Sequence, residues 1–201
     1  SMYLGERGSQ QKIGLREIID NSTHEHIRGF ATRMKIVFGE DGSLEVIDNG
    51  RGLPVDVNKK TGENGIIMTV GSMHSGSNFD SNIKKGQAGA GLNGVGSAVT
   101  NALSARFDVC VYKNNKKYSL SFKDGFPGQF EGDGADADFT PGKDIVVSKD
   151  TRPAAEKKQY KTGTYIKFWY NKDRFPKDEV IDVEDIVNRV KYISYITPNF
   201  D

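Results

Sequence analysis

A chain of 201 residues, 36% of them hydrophobic, can bury one sizeable core or at most two small ones, and a single domain is the reading. The 28 lysines and arginines nearly cancel the 27 aspartates and glutamates, so nothing in the composition asks for a nucleic-acid or membrane surface. The lone Cys110 excludes an internal disulfide and a cysteine-based zinc site, and no apolar run approaches a membrane span or a signal peptide.

Residues 14–28 read as a helix, with Leu15, Ile18, Ile19, Ser22 and His26 on one face. Glu17, Asp20, Asn21 and His24 form the opposite stripe, at i, i+3, i+4 and i+7. Residues 34–38 and 44–47, joined across an Asp-Gly pair, predict a β-hairpin. A short apolar helix is expected around residues 66–70. Residues 71–91, rich in Gly, Ser and Asn with no period, read as a long mobile loop of the kind used as a functional lid.

Helical spacing resumes over residues 94–103, with Val95, Ala98, Val99 and Ala102 in register. A second hairpin is predicted from residues 107–112 and 118–122 around Asn114-Asn115; Cys110, in its apolar alternation, reads as a buried strand thiol. Residues 123–160 read as an irregular excursion with one strand near residues 144–147. A strand over residues 164–169 and a helix over 183–193 close the chain. That helix has Asp182 as its N-cap and Val183, Ile186, Val187 and Val190 on one face. The mixture predicts an α+β class, a two-layer sandwich of one mixed β-sheet with helices on one face.

Three short segments carry candidate chemistry. Glu17 and Asn21 are one helical turn apart and point the same way. A carboxylate there can take a proton from an attacking water, and an amide oxygen can hold Mg²⁺. An isolated pair of this kind is a solvated helix face roughly nine times in ten; the downstream segments lower that figure. Asp48 ends a strand pattern just before Asn-Gly-Arg-Gly, where an ordinary strand-to-turn junction competes with a buried acceptor for a purine amino group. Gly50 and Gly52 would let the backbone approach such a ring. Arg51 reads as structural, with Glu25 as its ion-pair partner. The run Gly86–Gly96 places five glycines in eleven residues directly before a helix, an arrangement suited to anions. It is neither a Walker A loop nor a Rossmann fingerprint: no Gly-Lys-Ser/Thr follows, and no strand leads into it.

Taken together, these segments resemble the GHKL ATPase superfamily. The chain is more closely similar to the N-terminal ATPase domain of the B subunits of bacterial type IIA topoisomerases, gyrase and topoisomerase IV. The likeness runs from Met2-Tyr-Leu-Gly5 through Glu17-Ile-Ile-Asp-Asn-Ser22 and Asp48-Asn-Gly-Arg-Gly-Leu-Pro54. It continues in Gly91-Leu-Asn-Gly-Val-Gly96, Asn101-Ala-Leu-Ser104 and Lys161-Thr-Gly-Thr-Tyr-Ile-Lys-Phe-Trp169. The last of these argues against the chaperone and mismatch-repair branches of the superfamily, which are the alternative.

The resemblance implies the Bergerat fold, with ATP and Mg²⁺ as cofactors. It implies Glu17 as general base, Asn21 as Mg²⁺ ligand and Asp48 as partner of the adenine amino group, with Thr164 helping through a water. Gly52, Leu53, Pro54, Ile67 and Met68 would wall the adenine, and the backbone of Leu92, Asn93, Gly94, Val95 and Gly96 would wrap the phosphates. It also implies a cytoplasmic, nucleoid-associated protein that partners a gyrase A or topoisomerase IV A-type subunit and acts on DNA as a homodimer, with no membrane role. In the complete protein an arm is expected before Met2 and a transducer domain after Asp201. Residues 1–201 alone are then one ATPase domain, a monomer that binds nucleotide and hydrolyses it poorly. The chain departs from the family pattern at Asn93 (usually histidine in gyrases), His24 (commonly acidic) and Lys113 (often arginine), and residues 128–160 have no close counterpart.

Overall fold

The computed structural model describes residues 10–71, 94–176, 181–197 and 199–201. Helix α1 (Gln10–Ile27) leads into the hairpin β1 (Met34–Phe38) and β2 (Leu44–Asp48), then α2 (Gly65–Val70) and α3 (Gly94–Ala102). Five strands follow: β3 (Ser104–Lys113), β4 (Lys116–Lys123), β5 (Phe126–Glu131), β6 (Asp138–Pro141) and β7 (Val146–Lys149). The chain closes with α4 (Ala154–Gln159), β8 (Gly163–Tyr170) and α5 (Val183–Ile196). None of the described helices is long and apolar enough to cross a membrane.

All eight strands join one sheet in the order β1-β2-β8-β3-β4-β5-β6, with β7 added beside β5 on the same edge of β4. Every described ladder is antiparallel, which corrects the expected mixed sheet. The reason is its assembly from successive hairpins, with β8 slotted between β2 and β3 and running against both. Alternation decides which face is buried. Phe107, Val109 and Val111 of β3 align with Phe122, Leu120 and Tyr118 of β4 and with Phe168, Ile166 and Thr164 of β8. Their apolar members form the core with Leu15, Ile18 and Ile19 of α1, Ile66 and Ile67 of α2, and Ile186 and Ile193 of α5. The two-layer α+β sandwich is therefore present.

Local chemistry accounts for the turns. Asn114 and Asn115 both adopt positive φ (55° and 57°), the conformation a two-residue hairpin requires and asparagine tolerates. Asp182 caps α5 as expected, accepting from the Asp185 amide at 3.2 Å. The expected apolar face of α5 is corrected: Ile186 and Ile193 are buried, whereas Val183 and Val187 are exposed. Ion pairs set the approach of this helix to α1, with Lys12 and Arg16 on Asp185 and Arg189 on Asp20. Asp20 of the polar α1 stripe is thus a structural anchor.

Residues 123–160 are also corrected, from an irregular excursion to three strands and a short helix. Pro127, Gly128 and Pro141 break the usual strand pattern, yet Pro141 ends the edge strand β6 and Pro127 lies beyond the end of the β5–β6 ladder, positions where proline is tolerated. Contacts from a distance supply the order. Phe130 and Phe139 are register partners with ring centroids 4.8 Å apart. Arg106 donates Nη1 to the carbonyls of Gly132 and Gly134 at 2.9 and 2.8 Å.

Candidate functional site

A cleft of about 770 Å³ opens between α1, the segment after β2, and α2. Ile18, Val46 and Ile166 give it an apolar floor, with Leu53, Pro54 and Met68 on its walls. Many polar and charged residues share the lining, and the buried ones among them carry the most weight.

Asp48, 7% exposed, is the chief of these. Its Oδ1 accepts from the Gly50 amide at 2.9 Å and the Thr164 amide at 3.3 Å. Its Oδ2 accepts from the Ser22 hydroxyl at 3.0 Å. Burial pushes the carboxyl above its ordinary pKa, and the three donors work against that shift. Four lone-pair sites and three protein donors leave acceptor capacity for a ligand N–H.

Glycines make this geometry possible at two close approaches. Gly163 has φ +142°, and a Cβ there would overlap the Asp48 carbonyl oxygen. Gly52 has φ +76°, and a Cβ there would lie 2.6 Å from Val111 Cγ1. The start of β8 and the turn after β2 can therefore press together beneath the cleft.

At the other end of the cleft, α1 meets α3. Asn21 Nδ2 donates to Ser97 Oγ at 2.6 Å, and both residues line the cleft. That bond uses the donor end of the amide and leaves its oxygen for a hard cation. Among the described residues no group of three His, Cys, Asp or Glu is placed to hold a metal. The donor set fits Mg²⁺, which takes few protein ligands and completes its shell with phosphate oxygens and water. One turn earlier, Glu17 packs its carboxylate against Gly96 so closely that any Cβ there would collide with it. Glu17 therefore sits at the first turn of α3, beside the cleft.

At the mouth, Arg51 bonds Glu25 through Nη2 and Nε at 2.7 and 3.1 Å and lies 3.7 Å from the Phe30 ring centroid. The guanidinium holds Glu25 below the usual carboxylate range.

Of the residues singled out in the sequence, Asn21, Asp48, Gly52, Leu53, Pro54, Met68 and Thr164 all line the cleft. Ile67 does not: it is 3% exposed in the core, and Gly65 takes the place on the wall. Gly94 and Val95 open α3, while Leu92, Asn93 and the rest of the glycine run before them lie outside the described residues.

The chain is 34% identical over 203 residues to the DNA gyrase B protein of Spiroplasma citri, a match covering 100% of this chain and 28% of that protein. It is 33% identical over 198 residues to the DNA gyrase B protein of Staphylococcus epidermidis, covering 97% of this chain and 27% of the relative. Among solved structures, the 43K ATPase domain of Thermus thermophilus gyrase B, in complex with an aminocoumarin, matches with a TM-score of 0.71 at 28% identity. That match covers 99% of this chain and 44% of the other. The chain belongs to the gyrase B and topoisomerase IV B family. The ATP-binding domain of Francisella tularensis topoisomerase IV matches with a TM-score of 0.66 at 31% identity, covering 94% of this chain and 43% of that one. No protein-family model matches the chain. The chain spans about a quarter of the length of its gyrase B relatives, 28% and 27% in the two cases above.

Within this family member, sequence reasoning missed two parts of the site. Ser22 reads as a member of the buried face of α1, but its hydroxyl reaches Asp48. Ser97, the partner of Asn21, lies beyond the glycine run and carries no motif of its own; its only signal is its place one turn into α3.

Proposed function

We propose that residues 1–201 bind and hydrolyse ATP as part of a type IIA topoisomerase. The observation that carries this reading is Asp48, a buried carboxylate with spare acceptor capacity beside the apolar floor of the cleft. Such a group favours the exocyclic amino group of adenine and repels the carbonyl that guanine presents at the same edge. Thr164 assists through a water, and Gly52, Leu53, Pro54 and Met68 wall the ring. The backbone of residues 92–96 wraps the phosphates, aided by the α3 N-terminus.

Asn21 holds Mg²⁺, which neutralises phosphate charge when bound. Glu17 orients the attacking water and takes its proton. In the complete protein, ATP-driven dimerisation couples this cycle to DNA strand passage with a gyrase A-type or topoisomerase IV A-type partner, in the cytoplasm at the nucleoid. Residues 1–201 alone act as a monomer and hydrolyse slowly; a rate equal to the complete protein's would overturn that part.

The test is calorimetric titration of a non-hydrolysable ATP analogue with Mg²⁺, comparing the chain with Asp48→Asn. One-to-one binding, weakened at least about tenfold in the variant, is expected from the loss of a hydrogen bond to a charged acceptor. Equal binding by both would place the base elsewhere.

A further inference from the structure

The cleft has a wall whose position is set from outside the cleft. Helix α2 is six residues long, too short for its own hydrogen bonds to hold it. Yet Gly65, Met68, Thr69 and Val70 all line the cleft. Two buried asparagines grip its ends. Asn101 of α3 donates Nδ2 to the Val70 carbonyl at 2.6 Å. At the start, Asn64 is 5% exposed and uses both ends of its amide. Its Oδ1 accepts from the Ile67 amide at 3.0 Å and caps the helix. Its Nδ2 donates to the Lys143 carbonyl at 2.7 Å.

Lys143 lies in the connection between β6 and β7, inside the excursion after β4. That connection is itself anchored. The Gly142 amide donates to the Pro127 carbonyl at 3.0 Å, Gln129 Nε2 reaches the Asp144 carbonyl at 3.4 Å, and Ile145 packs against the core. On its other side, Asn64 is tied to the cleft loop. Its backbone bridges Val57, and the next amide, Gly65, donates to the Asp56 carbonyl at 3.1 Å. Pro54 sits so close that a Cβ on Gly65 would lie 2.5 Å from its carbonyl oxygen. A shift at Asn64 therefore moves Gly65 and Pro54 together.

We propose that the β5–β7 excursion positions the base-side wall of the cleft, and that Asn64 is the positioning residue through which it acts. The proposal rests on the nucleotide-binding reading above and deepens it: the excursion tunes affinity for the purine, not for the phosphates.

The test compares the parent chain, Asn64→Ser and Lys143→Ala by hydrogen–deuterium exchange of α2 and by titration of a non-hydrolysable ATP analogue well below the melting temperature. Serine keeps a cap and loses the donor to Lys143. N64S is expected to speed exchange in α2 and to weaken the analogue by up to about tenfold, the scale of one lost hydrogen bond. K143A keeps the carbonyl and removes only a 3.8 Å contact with Glu63, so parent values are expected. Should N64S fail to fold, Asn64→Asp keeps size and cap and sets an acceptor against the carbonyl, with the same expectation.

A role in stability alone would lower the melting temperature and leave affinity untouched, and that outcome overturns the proposal. So does equal harm from K143A. Failure of the parent chain to bind the analogue would overturn the nucleotide reading and the wall's role together, while α2 exchange would still report whether Asn64 braces the helix.

Discussion

The two ends of the cleft are built by different means. At the proposed base end, Asp48 closes β2 and is gripped by backbone amides from its own turn and from β8, so strand register places it. At the opposite end, the proposed phosphate end, Glu17 and Asn21 are placed by the approach of α1 to α3, through Gly96 and Ser97. Sheet register is all-or-none, whereas two helices can slide by fractions of an ångström. Damage at the base end should therefore cost fold and binding together. Damage at the phosphate end should cost chemistry first.

The largest expected effect comes from breaking the base end. Gly163→Ala must hold a positive φ and clear the Asp48 carbonyl, and it can do neither without parting β8 from β2. A loss of about 3 kcal/mol or more in urea denaturation is expected, with analogue binding abolished. A stable, binding-competent G163A would show that the junction gives way, and the contrast between the two ends would collapse.

Gly96→Ala sharpens the contrast from the other end. Helix propensity by itself favours alanine there by about 1 kcal/mol, but its Cβ would displace the Glu17 carboxylate. In the complete protein, ATP hydrolysis is expected to fall at least about a hundredfold, the usual worth of a positioned base. Analogue affinity should fall far less than hydrolysis, because the Gly96 amide is kept, and the melting temperature should not fall, because the clash is with the far end of a flexible side chain. Unchanged hydrolysis would remove Glu17 from the role of base.

The same contrast explains what can be read from the sequence. The Asp48 turn is legible because its chemistry is local: aspartate, two glycines and an arginine in a row leave few alternatives. The hairpins are legible for the same reason, through Asp41-Gly42 and Asn114-Asn115. The excursion after β4 is not, because prolines and glycines interrupt its strands and Arg106 orders its loop from 26 and 28 residues away. The Asn64 brace has a partner 79 residues distant, so no local pattern announces it. Ile67 on the wall is an expectation of the resemblance alone; it is buried in the core, because the neighbours of a six-residue helix decide its facing.

Acidification should separate the ends more gently. Burial raises the Asp48 pKa, so part of native stability is present at low pH and lost as pH rises through that raised value. On the proposed reading, adenine binding needs the ionised acceptor and should run the other way, weakening on acidification from a higher pH than an ordinary aspartate would allow. Titrations of analogue affinity against pH should show this fall in the parent chain and not in Asp48→Asn. A parent affinity that held down through the ordinary aspartate range would contradict the burial argument.

The smallest effect is expected at the mouth, where Arg51 and Glu25 belong to neither end. Their two-point contact is partly open to solvent, with the Arg51 side chain 52% exposed, so screening discounts it. Arg51→Ala should cost less than about 1 kcal/mol of stability, and added salt should shrink that difference further. The sign with pH is opposite to that of Asp48. Arg51 depresses the Glu25 pKa, so the contribution is present above the unfolded-state value and is lost as pH falls through the depressed one. Melting temperatures of parent and R51A should therefore converge in acid. A gap that persisted in acid and in high salt would mean that Arg51 acts through its stacking on Phe30, making the mouth a packed element instead of a charged rim.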